Sequence, residues 1–216
     1  MNRNLTEIIF ILDRSGSMHA LEADTIGGYN SFLARQKKLP GQVLLSTVLF
    51  DTRIDVLHDR ADISRVPELT AADYSARGCT ALLDAVGGAI HHIGNVHKYA
   101  REEDRPAKTM VVITTDGMEN ASRRYDLSKV REMIERQQSK YGWEFIFLGA
   151  NMDAVHEAGK FGISADSAVT FRADSEGVRA NFDAVCMAAS EMRATGSRGD
   201  AWRDRIARTF KKESET

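Results

Sequence analysis

Cysteine is scarce in this sequence: only Cys79 and Cys186 occur among 216 residues. The two lie far apart in the chain and form no metal-ligand spacing, so the sequence offers neither a zinc motif nor a disulfide framework. A single disulfide between them is compatible with the sequence, but nothing requires one. We expect free thiols in a reducing compartment, and therefore a cytoplasmic protein.

The sequence also lacks a strong charge of one sign and a long apolar run. Its formal net charge is −2, which gives no reason to expect nucleic acid or an anionic membrane as a partner. No apolar run approaches the roughly 20 residues that a membrane-spanning helix needs. The N-terminus leads directly into the first apolar segment without a separable leader, which is a second reason to expect the cytoplasm.

The first apolar segment runs into a loop of oxygen-bearing side chains. Residues 8–12 are rich in Ile and Phe and too few for a helix, so they predict a buried strand. Asp13, Ser15 and Ser17 follow at alternate positions, and an extended loop can direct all three to the same side. Such hard oxygen ligands suit Mg²⁺ or Mn²⁺. The alternative is a solvated turn whose serines cap the next helix.

Two later segments favour the metal interpretation. Thr80 stands at the start of a predicted helix, and the apolar residues 111–115 end at Asp116 and Gly117. The carboxyl ends of parallel strands gather at one edge of a sheet, where ligands bind. We therefore expect five side chains to meet at that edge: Asp13, Ser15, Ser17, Thr80 and Asp116.

This combination resembles the von Willebrand factor type A domain and its metal-ion-dependent adhesion site. The family pattern is Asp-x-Ser-x-Ser, then a Thr, then an Asp after a later strand, and this sequence matches all five positions in order over roughly residues 5–190. The segments 27–30 and 143–151 also resemble stand-alone bacterial and phage-encoded members. The resemblance implies a divalent cation held by direct hydroxyls and by Asp residues, with an open position filled by an Asp or Glu of a protein partner.

The order of predicted elements agrees with that fold. Apolar periodicity predicts strands near residues 8–12, 43–50, 54–56, 110–115, 143–148 and 167–171, and helices near 19–38, 81–100, 127–137, 152–160 and 175–193. The short connection between the second and third strands requires an antiparallel pair. We predict an α/β, doubly wound, Rossmann-like open sheet of about six strands, mostly parallel with one antiparallel edge strand and with helices on both faces.

The chain divides into a predicted type A-like domain over residues 1–194 and a charged C-terminal tail over residues 195–216. The tail lacks steady periodicity, although residues 201–212 could form a loose basic helix with Trp202, Ile206 and Phe210 on one side. We interpret it as a frayed tail, with a docking peptide as the alternative. The oligomeric state is not determined by the sequence.

The main rival to a binding module is an enzyme, a Mg²⁺-dependent phosphohydrolase that would use Asp13 as its nucleophile. Phosphatases of the haloacid dehalogenase type have the pattern Asp-x-Asp at this place. Here Ser15 stands at the position of the second Asp, so the general acid is missing. A phosphate-binding loop and a nucleophile elbow are also missing from the sequence. We therefore expect no catalytic residues. A structural subunit without metal is a third class, which the intact five-residue pattern argues against.

Several residues near the predicted site permit two interpretations. Arg77, Arg123 and Arg124 could form a basic rim for an acidic partner or could be solvated side chains. Glu119 and Asn120 follow Asp116 closely and could tune the site or cap the next turn. For Cys79, next to Thr80, we favour a small packed residue over a reactive thiol.

Overall fold

The computed structural model describes the backbone of residues 1–211 and the side chains of residues 1–207. The strands are β1 (Asn2–Asp13), β2 (Gln42–Phe50), β3 (Ile54–Asp62), β4 (Pro106–Thr115), β5 (Glu144–Ala150) and β6 (Ala168–Phe171). The helices are α1 (Glu22–Gln36), α2 (Leu82–Tyr99), α3 (Leu127–Tyr141), α4 (Ala154–Lys160), α5 (Ser175–Thr195) and α6 (Ala201–Lys211).

The strands form one sheet in the order β3-β2-β1-β4-β5-β6. All neighbouring pairs are parallel except β2 and β3. The three residues between Phe50 and Ile54 are too few for a crossover, so β2 and β3 can only pair as an antiparallel hairpin. The predicted fold class is confirmed: a mostly parallel, open six-stranded sheet with one antiparallel edge strand.

Strand β1 shows why the sheet is covered on both faces. Its side chains alternate between two separate apolar cores, with Phe10 and Leu12 in one core and Ile9 and Ile11 in the other. Helices α1, α5 and α6 close the first core, and α2, α3 and α4 close the second. A strand that is buried on both faces needs apolar residues at successive positions, which is the pattern of residues 8–12.

The local differences from the sequence prediction lie in the edge hairpin and before the first helix. Strand β3 continues to Asp62, six residues beyond the predicted strand over 54–56. It continues because pairing with β2, as between Leu44 and Asp62, satisfies backbone groups that a loop would leave to solvent. The predicted helix over 19–38 is divided into a 3-10 segment, Gly16–Leu21, and α1.

The C-terminal segment is ordered against the first core. Trp202 and Ile206 of α6 are 1% and 0% exposed and belong to the same apolar cluster as Phe182 of α5. The interpretation of residues 201–207 as a frayed tail is therefore wrong, because their apolar side chains find a complementary surface in the fold. The boundary at residue 194 stays a prediction. The predicted contribution of Phe210, and residues 212–216, lie outside the described residues.

Both cysteines are free, with Cys79 exposed and Cys186 buried, so the interpretation of Cys79 as a packed residue is wrong. The free state confirms the preference for thiols over a disulfide. None of the helices in residues 1–211 has the length and apolar character needed to span a membrane.

Candidate metal centre

The predicted oxygen donors come together where β1 and β4 end. These strands are parallel neighbours, with Leu12 opposite Thr114, so the residues that follow them emerge side by side. The Ser17 hydroxyl donates to the Asp116 carboxylate at 2.6 Å, and the hydroxyl oxygens of Ser15 and Ser17 lie 3.2 Å apart. Three of the five predicted residues are therefore linked in one chain of hydrogen bonds.

Thr80 reaches the same cluster from the loop before α2. A Cβ added to Gly117 would lie 2.8 Å from the Thr80 hydroxyl oxygen, so this hydroxyl packs against the residue that follows Asp116. Asn120 fixes the Thr80 backbone: the Thr80 N–H donates to the Asn120 side-chain oxygen at 2.9 Å, and the Asn120 N–H donates to the Thr80 carbonyl at 3.0 Å. Asn120 therefore positions Thr80 and does not cap the next turn.

Asp13 lies beneath the other donors with both carboxylate oxygens engaged. Oδ1 accepts a hydrogen bond from the Ser15 N–H at 2.7 Å, and Oδ2 accepts one from the Thr115 hydroxyl at 2.6 Å. The Tyr74 hydroxyl donates to the backbone carbonyl of Asp13. Sequence reasoning missed both Thr115 and Tyr74. Thr115 carried a usable signal, because it directly precedes Asp116 at the end of a buried strand.

The five residues differ in their exposure to solvent. Asp13, Ser15 and Thr80 are buried, with exposed fractions of 1%, 2% and 3%. Ser17 is exposed, and Asp116 is half-buried. The site is thus closed on the side of Asp13, Ser15 and Thr80 and open to solvent on the side of Ser17 and Asp116.

The electrostatics of the site suit a cation. Burial raises the pKa of Asp13 to about 6, although hydrogen bonds from Thr115 and Ser15 oppose the rise, and burial also raises the pKa of Asp116. Within the described residues no cationic side chain is paired with either carboxylate. A divalent cation would offset the cost of burying this negative charge.

The chemistry of the donor set points to a hard metal ion. Two carboxylates and three hydroxyls provide only oxygen, the ligand that Mg²⁺ and Mn²⁺ prefer. Among the described residues no group of three or more His, Cys, Asp or Glu side chains could hold a metal, so a conventional zinc cluster is not seen in this part of the chain. The residues present therefore fit Mg²⁺ or Mn²⁺.

A buried ion pair supports the loop that carries the serines. Arg14, 4% exposed, donates through Nε to Asp51, 3% exposed, at 2.9 Å. Asp51 also accepts from the Arg53 N–H and from Arg77 Nε. Burial raises the pKa of Asp51, but these hydrogen bonds and the arginine charges outweigh burial, so the net pKa is lowered. The ionised pair fixes the Asp13 loop against the β2–β3 turn.

This network corrects the interpretation of Arg77. Its Nε lies 3.0 Å from Asp51, so it is neither a free rim cation nor a fully solvated side chain. Arg123 and Arg124 are exposed, and their backbone N–H groups donate to the Asp84 carboxylate. A basic rim formed by the last two side chains stays a prediction.

Glu119 has a structural role at the start of α2. Its carboxylate accepts hydrogen bonds from the backbone N–H groups of Leu83, Ala121 and Ser122 at 2.8, 2.9 and 2.7 Å. It therefore joins the loop after β4 to the first turn of α2, next to Thr80. This confirms the capping interpretation of Glu119.

The fold is shared with solved structures of distant sequence. Proximal thread matrix protein 1 from the mussel byssus, in a form with a zinc-occupied metal-ion-dependent adhesion motif, is 13% identical and superposes with a TM-score of 0.60 over 86% of this chain and 48% of its own. A von Willebrand factor type A protein from Catenulispora acidiphila is 16% identical, with a TM-score of 0.54 over 86% of this chain and 42% of its own.

The pilus adhesin SpaC from Lactobacillus rhamnosus GG, in an open conformation, is 12% identical, with a TM-score of 0.64 over 84% of this chain and 29% of its own. This chain thus spans less than half of each of the three solved chains. No family model and no curated protein matches the sequence. At these identities the likeness concerns the fold, and the function has to be argued from the site.

Proposed function

We propose that this chain, which has the fold of a von Willebrand factor type A domain, is a metal-dependent protein-binding module. A Mg²⁺ or Mn²⁺ ion would sit among the five oxygen donors and would be completed by an Asp or Glu carboxylate of a protein partner. The observation that carries the proposal is the convergence of Ser17 on Asp116 beside buried Asp13, Ser15 and Thr80.

The residues divide into two roles. The hydroxyls of Ser15, Ser17 and Thr80 are neutral donors, which leave a bound cation strongly electrophilic. Asp13 and Asp116 supply the balancing negative charge, either directly or through water. A cation with mainly neutral ligands favours an additional carboxylate, and the exposure of Ser17 leaves the outer side of the site accessible to one.

The residue two positions after Asp13 supports a binding role over a phosphohydrolase. It is Ser15, whose hydroxyl oxygen lies 3.2 Å from that of Ser17, at the place where the phosphohydrolase needs a carboxyl group as its general acid. We therefore propose that the chain is not an enzyme. The free thiols of Cys79 and Cys186 support the further proposal that it acts in the cytoplasm.

The metal is tested by calorimetric titration with Mg²⁺ and Mn²⁺ of the wild-type protein, Asp13→Ala and the control Asp59→Ala. Asp59 is an exposed carboxylate of β3 that lies near His92, outside the donor cluster. We expect the control to bind metal as the wild type does and Asp13→Ala to lose binding while keeping its far-UV circular dichroism. Unchanged affinity in Asp13→Ala would place the metal elsewhere.

The partner carboxylate is tested by affinity capture from native lysate with wild type and Asp13→Ala, each in Mg²⁺ and in EDTA. A protein retained only by the wild type in Mg²⁺ is the expected result. The captured protein is then mutated at its Asp and Glu residues, and loss of capture on one such change identifies the ligand. Capture that depends on neither the metal nor the mutation contradicts the proposal. Turnover of a phosphorylated substrate by the purified protein would show instead that the chain is a phosphohydrolase.

A further inference from the structure

A second candidate site lies at the opposite end of β4 from the metal centre. A cavity of about 620 Å³ opens between α2 and α3, next to Pro106, the first residue of β4. β4 has ten residues and ends at Thr115, so at ~3.3 Å per residue Pro106 lies about 30 Å from the end of the strand that leads to Asp116. Its volume is within the range of pockets that hold small molecules.

The inner wall of this cavity is apolar. It is formed by the buried side chains of Ile90, Pro106 and Trp143 and by the half-buried Met133. The indole of Trp143 is held edge-on to the His97 ring, with ring centroids 5.3 Å apart. Gly94 keeps the space open on the α2 side, where the nearest atom to an added Cβ would be the flexible amide of Gln137 at 3.2 Å. The wall suits the apolar or aromatic body of a ligand.

The mouth of the cavity carries charge of one sign. Its cationic lining residues are Lys98, Arg105, Lys129, Arg136 and Lys140. No Asp or Glu lines it among the described residues. Of the five cations, only Lys129 has a carboxylate partner within that part of the chain, Glu132 at 2.9 Å. A cavity with an apolar wall and a cationic mouth is complementary to an amphiphilic anion.

Arg105 is the residue that most needs a partner. Its Nε is buried and has no hydrogen-bond acceptor within the described residues, where its guanidinium makes one hydrogen bond, from Nη2 to the Ala100 carbonyl at 3.1 Å. A buried donor without an acceptor costs free energy, and more so when it belongs to a charged group. An acidic group bound at the mouth would supply both the acceptor and the counter-charge.

We propose that this cavity binds a small amphiphilic anion, with its apolar body against Trp143 and its carboxylate or phosphate group on Arg105. The bound ligand contacts α2, α3 and the start of β4. The proposal does not depend on the metal centre, so an experiment that contradicts one of the two sites leaves the other unaffected.

The test uses a matched pair of fluorescent probes on the full chain in EDTA. 1-Anilinonaphthalene-8-sulfonate carries an aromatic body and a sulfonate, and N-phenyl-1-naphthylamine is the same body without the charge. We expect saturable binding of one sulfonate probe per chain, at least about tenfold tighter than the neutral probe, because a hydrogen-bonded charge is lost with the sulfonate. Equal affinities for the two probes would overturn the proposal.

Variants locate the site. Arg105→Met should weaken the sulfonate probe about tenfold or more and leave the neutral probe unchanged. Gly94→Leu should abolish the binding of both probes by filling the cavity. Arg131→Met, on α3 but outside the lining, should change neither. If circular dichroism shows that Arg105→Met is unfolded, Arg136→Met replaces it. Binding that is insensitive to Gly94→Leu contradicts the assignment.

Competition identifies the acidic group. Decanoate, decyl phosphate and neutral decanol are titrated against the bound sulfonate probe. Displacement by one or both anions and not by decanol supports the proposal, and the tighter anion shows whether the natural ligand carries a carboxylate or a phosphate. Displacement by decanol as strong as by the anions means that the cationic mouth makes no contribution, and the proposal is then wrong.

Discussion

The hydroxyl of Ser17 donates a 2.6 Å hydrogen bond to the carboxylate of Asp116, across 99 residues of sequence. This bond joins the loop after β1 to the loop after β4 on the exposed side of the donor cluster. Both residues are predicted ligands of one cation, and their oxygens already lie at hydrogen-bond distance. A metal bound there would exchange this hydrogen bond for metal–oxygen contacts.

Ser17→Ala is the first prediction. Removing one hydroxyl donor should weaken Mg²⁺ binding about tenfold or more, because the loss of a ligand to a charged group costs about 1.5–3 kcal/mol. The measurement is calorimetric titration. Ser64→Ala is the matched control, since the Ser64 hydroxyl also donates to a carboxylate, Asp62, at 2.7 Å but lies outside the cluster. Equal affinities in the two variants would contradict the role of Ser17.

Thr115→Val tests a residue that acts through Asp13. The valine keeps the shape of the strand but removes the hydroxyl that holds Asp13 Oδ2 at 2.6 Å. We expect weaker Mg²⁺ binding and a loss of about 1–2 kcal/mol in the free energy of unfolding. Thr114→Val, the neighbouring position on β4, should leave the metal affinity unchanged. If Thr115→Val binds Mg²⁺ with wild-type affinity, Thr115 has a structural role only.

The buried Arg14–Asp51 pair should contribute strongly to stability. Arg14→Met leaves the Asp51 carboxylate, which is 3% exposed, without its buried partner, and breaking a buried pair in this way costs about 3–5 kcal/mol. Arg77→Met removes a partner whose side chain is 57% exposed, and should cost less than about 1 kcal/mol. Urea unfolding measures both. Similar losses in the two variants would show that burial does not distinguish them.

Asp84 should make the stability of the α2 region depend on pH. Burial raises the pKa of its carboxyl, but hydrogen bonds from the backbone N–H groups of Arg123, Arg124 and Tyr125 outweigh burial and lower it below 3.8. A lowered folded-state pKa means that the ionised form stabilises the fold above the unfolded-state value and that this contribution is lost as the pH falls through the folded-state value.

The measurement is urea unfolding of the wild type and Asp84→Asn over a range of pH. We expect Asp84→Asn to cost about 1–3 kcal/mol at neutral pH and progressively less in acid, because the wild type then loses the same charge. Asp59→Asn, at an exposed carboxylate, is the control. A difference that does not change with pH contradicts the assignment of the stabilisation to the ionised group.

Trp202→Ala tests the docking of the C-terminal helix. The side chain is 1% exposed and packs in the same core as α5. Its truncation should lower the free energy of unfolding by about 3–5 kcal/mol. The measurement is thermal unfolding, with Ala207→Gly, also on α6, as the control for helix propensity. The glycine should cost about 1 kcal/mol, so a larger loss in Trp202→Ala is due to packing. An unchanged free energy of unfolding in Trp202→Ala would support the interpretation of this segment as a frayed tail.

The class of the fold, and the five residues predicted to hold a metal, could be inferred from the sequence. Successive apolar residues over 8–12 and 110–113 are typical of strands buried on both faces of a parallel sheet, and the helical periods between the strands supply the covering layers. Asp13, Ser15 and Ser17 are close in sequence, so their loop could be interpreted locally. Thr80 and Asp116 followed because strand ends in such a sheet share an edge.

The partner that each polar group takes depends on the tertiary structure. The direction of Arg14 towards Asp51, and of the Thr115 hydroxyl towards Asp13, depends on contacts between elements that are distant in the chain. The same holds for Trp202: the sequence placed it with Ile206 on one side of a possible helix, but the surface that buries them is formed by distant elements of the first core. The cavity between α2 and α3 arises from the space that the two helices leave beside β4, and that space depends on their packing on the sheet, which local sequence patterns do not specify.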